Sequence, residues 1–244
     1  MSESIKQTHM KLIHSHSSVL KIFNDRGFTL VELMITLAIS GIVLGVLGTA
    51  YVSQQRSATA QEQVAEMQQN IRAGLDIMER EIRMAGYDPR HTAGTGFLNS
   101  APYFTNANNL SFTMVADTDG IDNNNNGTTD EPNETETINY YLYDAYGDGD
   151  LDLGRRTPVS TQAVAENIEA IEFRYLNSAN NVTAVLADIR SVQISILARA
   201  SMPDSSFTDT ATYTSASGVI WGPYNDNLRR RLLISTIQCR NMGL

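Results

Sequence analysis

The sequence has 244 residues, of which 42% are hydrophobic, and this composition excludes a chain that is disordered throughout. The length suits one globular domain with additional segments. The formal net charge of −9 argues against direct binding of nucleic acid, and the single cysteine, Cys239, excludes an internal disulfide; we expect Cys239 to be buried in a strand.

The charge of the chain changes sign at residue 27. Residues 1–27 carry a net charge of +2 and all three lysines, which leaves −11 for the remainder. Basic flanks of an apolar segment stay on the cytoplasmic side of a membrane. The division therefore indicates a basic N-terminal leader over 1–27 and an acidic body beyond the inner membrane.

An apolar stretch begins directly after this boundary. Residues 28–52 contain a single charged side chain, Glu32. About 20 apolar helical residues suffice to cross a bilayer, so the stretch predicts a single transmembrane helix with the body in the periplasm. A buried core helix is the alternative, but such a helix normally has a polar face.

The candidate cleavage site lies before the apolar stretch, between Gly27 and Phe28, whereas a secretory signal peptide is cut after its apolar region. Cleavage here keeps the apolar helix on the mature chain and creates a free amine at Phe28. Glu32 then lies one helical turn further on, where a carboxylate in lipid is costly. It could pair with the amine of its own chain or of a neighbouring chain, or extend to the lipid headgroups.

The segment "GFTLVELMITLAISGIVLG" resembles the cleavage and methylation motif of type IV prepilins. The shared features are a basic leader, a glycine before the cut, an aromatic first residue and a glutamate at the fifth mature position. The resemblance implies cleavage after Gly27 by an inner-membrane prepilin peptidase and N-methylation of Phe28. It also implies that Glu32 is needed for methylation or assembly. The leader of 27 residues is long for this family.

The helical pattern continues beyond the membrane-length stretch. Apolar residues recur at spacings of three and four over 64–82, which places them on one face of an α-helix. Gly86, followed by Asp88 and Pro89, supplies a stop. We predict one helix over 28–86, which is transmembrane over 28–52 and amphipathic over 53–86. Its apolar face consists of Val64, Met67, Ile71, Leu75, Met78 and Ile82.

The pattern changes from helical to extended in the remaining part, 87–244. Five runs alternate apolar and polar residues and are rich in β-branched and aromatic side chains, which predicts strands. No long amphipathic helix separates the runs, so we expect a mostly antiparallel sheet and an α+β fold. Residues 201–227 are interpreted as a long polar loop. The five runs are 110–115, 136–143, 168–176, 189–199 and 231–239.

Four blocks of this chain resemble those of PilW-type minor pilins, which are related to the J-type minor pseudopilin of type II secretion. They read "MEREIRMAGYDP", "AENIEAIEFRYL", "IRSVQISILARA" and "RRRLLISTIQCRN". The resemblance implies a pilin-like fold and a minor subunit that enters a type IV pilus or primes its assembly near the tip. The implied partners are other major and minor pilins, and inner-membrane lipid before assembly. A minor pseudopilin of a type II secretion system is the alternative.

Residues 116–154 form a predicted acidic loop, with eleven carboxylates and no lysine or arginine between 117 and 152. Part of it, 122–133, matches a calcium-loop template at positions 1, 3, 5 and 6, but position 12 is Asn133 where the template has glutamate. Calcium binding and a solvated, turn-rich loop therefore both remain open. The candidate calcium ligands are Asp117, Asp119, Asp122, Asn124, Asn126, Thr128, Asp130 and Glu131.

The sequence contains no nucleophile motif, phosphate loop or zinc-ligand spacing. Only one histidine, His91, follows the leader. We therefore expect a protein that is not an enzyme and requires no cofactor, with calcium as the one candidate ion. Two function classes remain: a filament subunit, or a membrane-anchored, calcium-binding periplasmic protein that does not polymerise. They differ in the role of Glu32.

Overall fold

The computed structural model describes residues 27–116, 122, 126–129, 131 and 134–243, so all of the predicted leader except Gly27 lies outside the described residues. The chain forms two compact units, Met1–Gln55 and Arg56–Leu244. The elements are α1 (Leu30–Met84), β1 (Leu110–Val115), β2 (Thr135–Tyr143), β3 (Asp152–Arg156), β4 (Thr161–Ala165), β5 (Ile168–Leu176), a 3-10 helix (Leu186–Asp188), β6 (Ser191–Arg199), β7 (Tyr213–Thr214), β8 (Ile220–Trp221) and β9 (Arg230–Gln238).

Helix α1 is continuous, and its ends are set by Thr29 and Gly86. Thr29 is the N-cap, since its hydroxyl Oγ1 accepts a hydrogen bond from the backbone N–H of Glu32 at 3.2 Å. Gly86 follows the last turn with a φ of 77°, a left-handed conformation that favours glycine. The helix is two residues shorter at each end than the predicted range 28–86, because the residues that cap it lie outside helical geometry.

In the second unit, α1 packs through the apolar face that its spacing predicts. All six predicted residues belong to the core or pack against it, so this prediction is confirmed. Gly74 lies on the same face, where a Cβ atom would come within 2.9 Å of the Cβ of Ala165 in β4. Glycine therefore permits a close approach of helix and strand. The four fully buried members of the predicted face are Met67, Ile71, Met78 and Ile82.

The strands form three antiparallel sheets. One has the order β1-β2-β3-β4, the second has the order β5-β6-β9, and β7 pairs with β8 in a short hairpin. The core lies where the second-unit part of α1 meets the two larger sheets, and it includes the buried rings of Phe112 and Tyr140. The predicted α+β fold with antiparallel pairing is confirmed.

The five predicted strands are confirmed, with ends that shift by no more than two residues. The sequence pattern does not predict β3 and β4, which are short and lack a clear apolar alternation. Residues 201–227 are not entirely loop, since β7 and β8 lie within them. The acidic range 116–154 is likewise not a single loop, because it contains β2 and the start of β3. There, inward-facing apolar side chains and ladder pairing stabilise extended structure despite acidic neighbours.

A polar cluster joins α1 to the four-stranded sheet. Glu81 of α1 accepts hydrogen bonds from the hydroxyl of Tyr140 and from Nε of Arg155, the latter at 2.8 Å. Arg155 also donates to Glu136 at 3.0 Å. Burial and the adjacent Glu81 carboxylate raise the pKa of the Tyr140 phenol well above its ordinary value, so the phenol remains a donor. Each of these polar groups therefore has a partner.

A second ionic cluster stabilises the excursion between β6 and β9. The buried guanidinium of Arg230 forms ion pairs with Glu169 at 2.8 Å, Asp209 at 3.1 Å and Asp226 at 2.7 Å. It also lies 3.8 Å from the ring centroid of Tyr224. A buried cation needs such partners to offset its desolvation. The cluster therefore explains how a largely polar excursion is fixed against β9.

Cys239 is buried, as expected, but it lies one residue beyond the end of β9 and not in the strand. Burial raises the pKa of its thiol to about 12, and nearby Arg190 offsets this only in part. The thiol is therefore protonated at neutral pH, and Cys239 packs as a small apolar side chain.

We expect Ile71→Ala to lower the free energy of unfolding by about 2–5 kcal/mol, because it leaves a cavity between α1 and the sheets. Denaturant unfolding of the detergent-solubilised full-length chain measures the change. Arg72→Ala, on the exposed face next to Ile71, is the matched control and should stay within about 0.5 kcal/mol of the wild type. An equal loss in both variants would contradict the assigned core face.

Candidate functional site

The candidate processing and assembly site is the start of α1, in the first unit. Gly27, Phe28 and Thr29 precede the helix, and Glu32 lies in its first turn. Phe28 is 82% exposed, and a Cβ atom placed on Gly27 would have no described atom within 4 Å. The peptide bond between Gly27 and Phe28 is therefore open to a protease on all sides that the structure describes.

Thr29 is a residue of this site to which the prepilin motif assigns no role. The spacing Thr29-x-x-Glu32 is that of a capping box, a local pattern that identifies an N-cap from sequence alone. One of the two hydrogen bonds of a capping box is present, in which the N–H of Glu32 donates to the Thr29 hydroxyl. The Glu32 carboxylate itself bonds to no described residue. It is therefore held in the first turn, where the helix dipole favours a negative charge, and is available to a further cation.

The first-unit part of α1 exposes apolar side chains on every face. Its most apolar window of 18 residues has a mean hydropathy of 2.4 and no buried residue, so by length and composition it can cross a membrane. The hydroxyls of Thr36 and Thr49 each donate at 2.9 Å to the carbonyl three residues earlier. These hydroxyls are satisfied within the helix, which is what a lipid environment requires.

Part of the predicted calcium loop lies among the described residues. The Asp122 carboxylate accepts hydrogen bonds from the N–H groups of Asn126 at 3.0 Å and Gly127 at 2.6 Å. The Asn126 amide donates to the Glu131 carboxylate, and its oxygen accepts from the N–H of Thr128 at 2.9 Å. Four candidate ligands thus meet in one turn. The other four, Asp117, Asp119, Asn124 and Asp130, lie outside the described residues.

Across the ranges that the structure describes, no three His, Cys, Asp or Glu side chains converge as a metal site would require. In the β2–β3 connection, Asp144 accepts from the N–H of Gly147 at 2.6 Å. The buried Asp152 accepts from the N–H groups of Ala145 and Asn167, both at 3.1 Å. These carboxylates stabilise turns. Calcium binding at 122–133 therefore stays a prediction from the sequence template.

Comparisons with known proteins bear on both ends of the chain. Residues 22–48 match the family model of the prokaryotic N-terminal methylation motif, and residues 121–241 match the model of type IV pilus-assembly protein W. No curated protein matches the chain. Among solved structures, it is similar to a type IV-like pilin, TTHA1219 from Thermus thermophilus, with 15% identity and a TM-score of 0.45. That similarity covers 72% of this chain and 97% of the other.

A methylation motif that leads into an apolar helix, continued by a helix packed on antiparallel sheets, defines the class of type IV pilin-like proteins. Within that class, the match over 121–241 assigns the chain to a family. The chain belongs to the PilW-type minor pilins.

Calcium is expected to stabilise the full-length chain by about 2.7 kcal/mol when its free concentration is 100 times the dissociation constant. Thermal unfolding with added calcium and with a chelator measures this shift. Asp122→Ala should abolish it, whereas Asp188→Ala, an exposed carboxylate of the 3-10 helix, should leave it unchanged. An unfolding midpoint that does not change with calcium would contradict calcium binding.

Proposed function

We propose that this chain is a minor subunit of a type IV pilus that is cut between Gly27 and Phe28 and then enters the filament, or primes its assembly, near the tip. The observation that carries the proposal is Glu32. Its carboxylate lies in the first turn of a membrane-length apolar helix and bonds to no described residue. An uncompensated carboxylate in lipid costs a few kcal/mol, so a role in pairing is favoured.

The partner that suits Glu32 is an amine that exists only after cleavage. Cutting after Gly27 and methylating Phe28 leaves a cation four residues before Glu32, about one helical turn away. The same cation on a neighbouring subunit can also reach a carboxylate at the start of an exposed helix. Pairing between subunits would compensate both charges when the subunit is assembled, which links Glu32 to incorporation.

The charge distribution supports a single-pass arrangement in the inner membrane. The basic leader favours the cytoplasmic side, and the remainder of the chain, with a net charge of −11, then lies in the periplasm until the subunit reaches the filament at the cell surface. Prepilin peptidase and other pilins are the proposed partners, with inner-membrane lipid around α1 before assembly. The acidic body gives no basis for direct contact with nucleic acid.

The proposed role is structural and not catalytic, which agrees with the family to which the chain belongs. A type II secretion pseudopilin would use the same processing and the same Glu32. The match to type IV pilus-assembly protein W supports the pilus over that alternative. In a non-polymerising calcium-binding protein, Glu32 would have no role between subunits. The variants below therefore distinguish that class from a filament subunit.

Glu32→Gln is expected to leave the chain synthesised, inserted and cut, but to lower its amount in sheared filaments at least about tenfold, the effect of about 1.4 kcal/mol. Immunoblots of filament and membrane fractions measure the distribution. Thr29→Ala is the control, since it removes the helix cap, worth about 1 kcal/mol, and keeps the carboxylate. Normal incorporation of Glu32→Gln would contradict the assembly role.

The mature chain should begin at N-methylated Phe28. Mass spectrometry of the N-terminal peptide from membranes measures both the start and the added methyl group. Cells without prepilin peptidase are the control and should retain the leader and an unmethylated chain. A mature protein that still begins at residue 1 in normal cells would contradict the proposed processing.

A further inference from the structure

Three of the four edges of the two larger sheets are short or covered by the protein's own backbone. Along β1, the segment 86–98 covers the edge, for example through the N–H of Leu98, which donates to the Ser111 carbonyl at 2.9 Å. Along β5, the N–H of Phe173 donates to the Ala107 carbonyl at 2.8 Å. The remaining edge of the first sheet, β4, has only five residues.

β9 is the exception among these edges. All nine of its residues pair with β6 in an unbroken register, which makes β9 the outer strand of its sheet. On its other side, no backbone group of the described chain bonds to residues 230–238. The side chains of Ile234, Thr236 and Gln238 are exposed, so they lie on the outer face of the sheet.

The hydrogen bonds at both ends of β9 show which of its backbone groups face outward. The Arg229 carbonyl accepts from the N–H of Ala200 at 2.8 Å, and the N–H of Cys239 donates to the Arg190 carbonyl at 2.9 Å. Odd-numbered residues therefore bond to the β6 side. In an antiparallel pair the intervening residues direct N–H and C=O the opposite way. The residues whose outward backbone groups bond to no described backbone group are Leu232, Ile234, Thr236 and Gln238.

This edge lacks the features that normally protect an exposed strand. Natural sheets block open edges with charged side chains, proline, a bulge or short length. The run "LLISTIQ" over 232–238 has no charge and no proline, its register has no bulge, and Ile234 is 43% exposed. A long, uncharged, open edge is a template for another strand.

Basic side chains flank the open run and restrict the kind of strand that fits. Arg231 at the start of β9 and Arg240 just after its end are exposed, and neither forms an ion pair with a described residue. They contrast with Arg230, which is fully paired inside the domain. An arriving strand that is neutral along its length and acidic near its ends complements this arrangement, whereas a basic strand is repelled.

We propose that β9 accepts such a strand from the globular domain of a neighbouring pilin subunit. The added strand bonds to the outward N–H and C=O groups of the even-numbered residues and extends the sheet from three strands to four. Backbone bonds supply the affinity, while Arg231 and Arg240 select the partner by charge. This strand addition rests on the proposed function, because an assembling subunit is the class of protein that has pilin neighbours.

Ile234→Pro tests the strand addition. It removes one outward N–H and none of the hydrogen bonds to β6, and proline is tolerated where an edge N–H faces solvent. Ile234→Val keeps the N–H and is the matched control. The full-length chain is purified in detergent from cells that express its companion pilins, and co-purified pilins are quantified by mass spectrometry. We expect about tenfold less pilin with Ile234→Pro and no change with Ile234→Val.

Hydrogen exchange on the unaltered chain tests the same interface even if Ile234→Pro fails to fold. In the isolated chain, the amides of Leu233 and Ser235 should exchange slowly, and those of Ile234 and Thr236 quickly. In the complex with companion pilins, all four should exchange slowly. Fast exchange of the even-numbered amides in that complex would overturn strand addition, and so would crosslinks that place a second copy of this chain on β9.

The outcomes for strand addition and for the proposed function are distinct. Normal filament incorporation and normal pilin binding by a folded Ile234→Pro variant would contradict strand addition alone. An unaltered chain that binds no pilin and is absent from filaments would contradict the proposed function itself.

Discussion

The rest of the fold depends on one packing requirement. The apolar face of α1 in the second unit must be buried against another layer of the structure. In the first unit the helix is apolar on every face, but in the second unit only one face is apolar, with Ile71, Met78 and Ile82 almost completely buried. Helices draw most of their stability from packing such a face. The two larger sheets supply that packing, and their own inner faces need the helix in return, because a sheet with one apolar face must be covered by another layer.

Apolar burial alone does not fix how α1 lies on the sheets, since the hydrophobic effect has no direction. The polar clusters add that direction. Glu81 accepts hydrogen bonds from Tyr140 and Arg155, so a rotated or shifted helix would leave the Glu81 carboxylate without these partners. Arg230 acts in the same way on the excursion, because its three carboxylates come from separate parts of the second unit. These buried charges therefore contribute more to the specific arrangement of the elements than to the net stability of the fold.

Local patterns predicted α1 and five strands, because helical and extended periods are properties of neighbouring residues. These patterns did not predict β3, because its sequence Asp-Leu-Gly-Arg-Arg has no such period. Glycine suits position 154 because a Cβ there would lie 2.7 Å from the ring of Tyr143 in the neighbouring strand, a contact that local patterns do not show. The roles of Gly27, Phe28 and Glu32 are predictions from one compact motif, and the Thr29-x-x-Glu32 spacing within that motif is sufficient to predict the N-cap that the structure shows at Thr29. The open edge of β9 could not be predicted from sequence patterns, because they do not show which strands pair in the sheet and which strand lies at its edge.

Two features of this subunit are incomplete in the same chemical sense. Glu32 is a carboxylate without a described partner in an apolar helix, and the even-numbered residues of β9 present backbone groups without described partners on an uncharged edge. Folding normally pairs both kinds of group, because burial or aggregation penalises those that stay unpaired. The buried Arg230 of the second unit, in contrast, is paired with three carboxylates within the described chain. In the assembly proposed above, a neighbouring chain would supply the cation for Glu32 and the strand for β9.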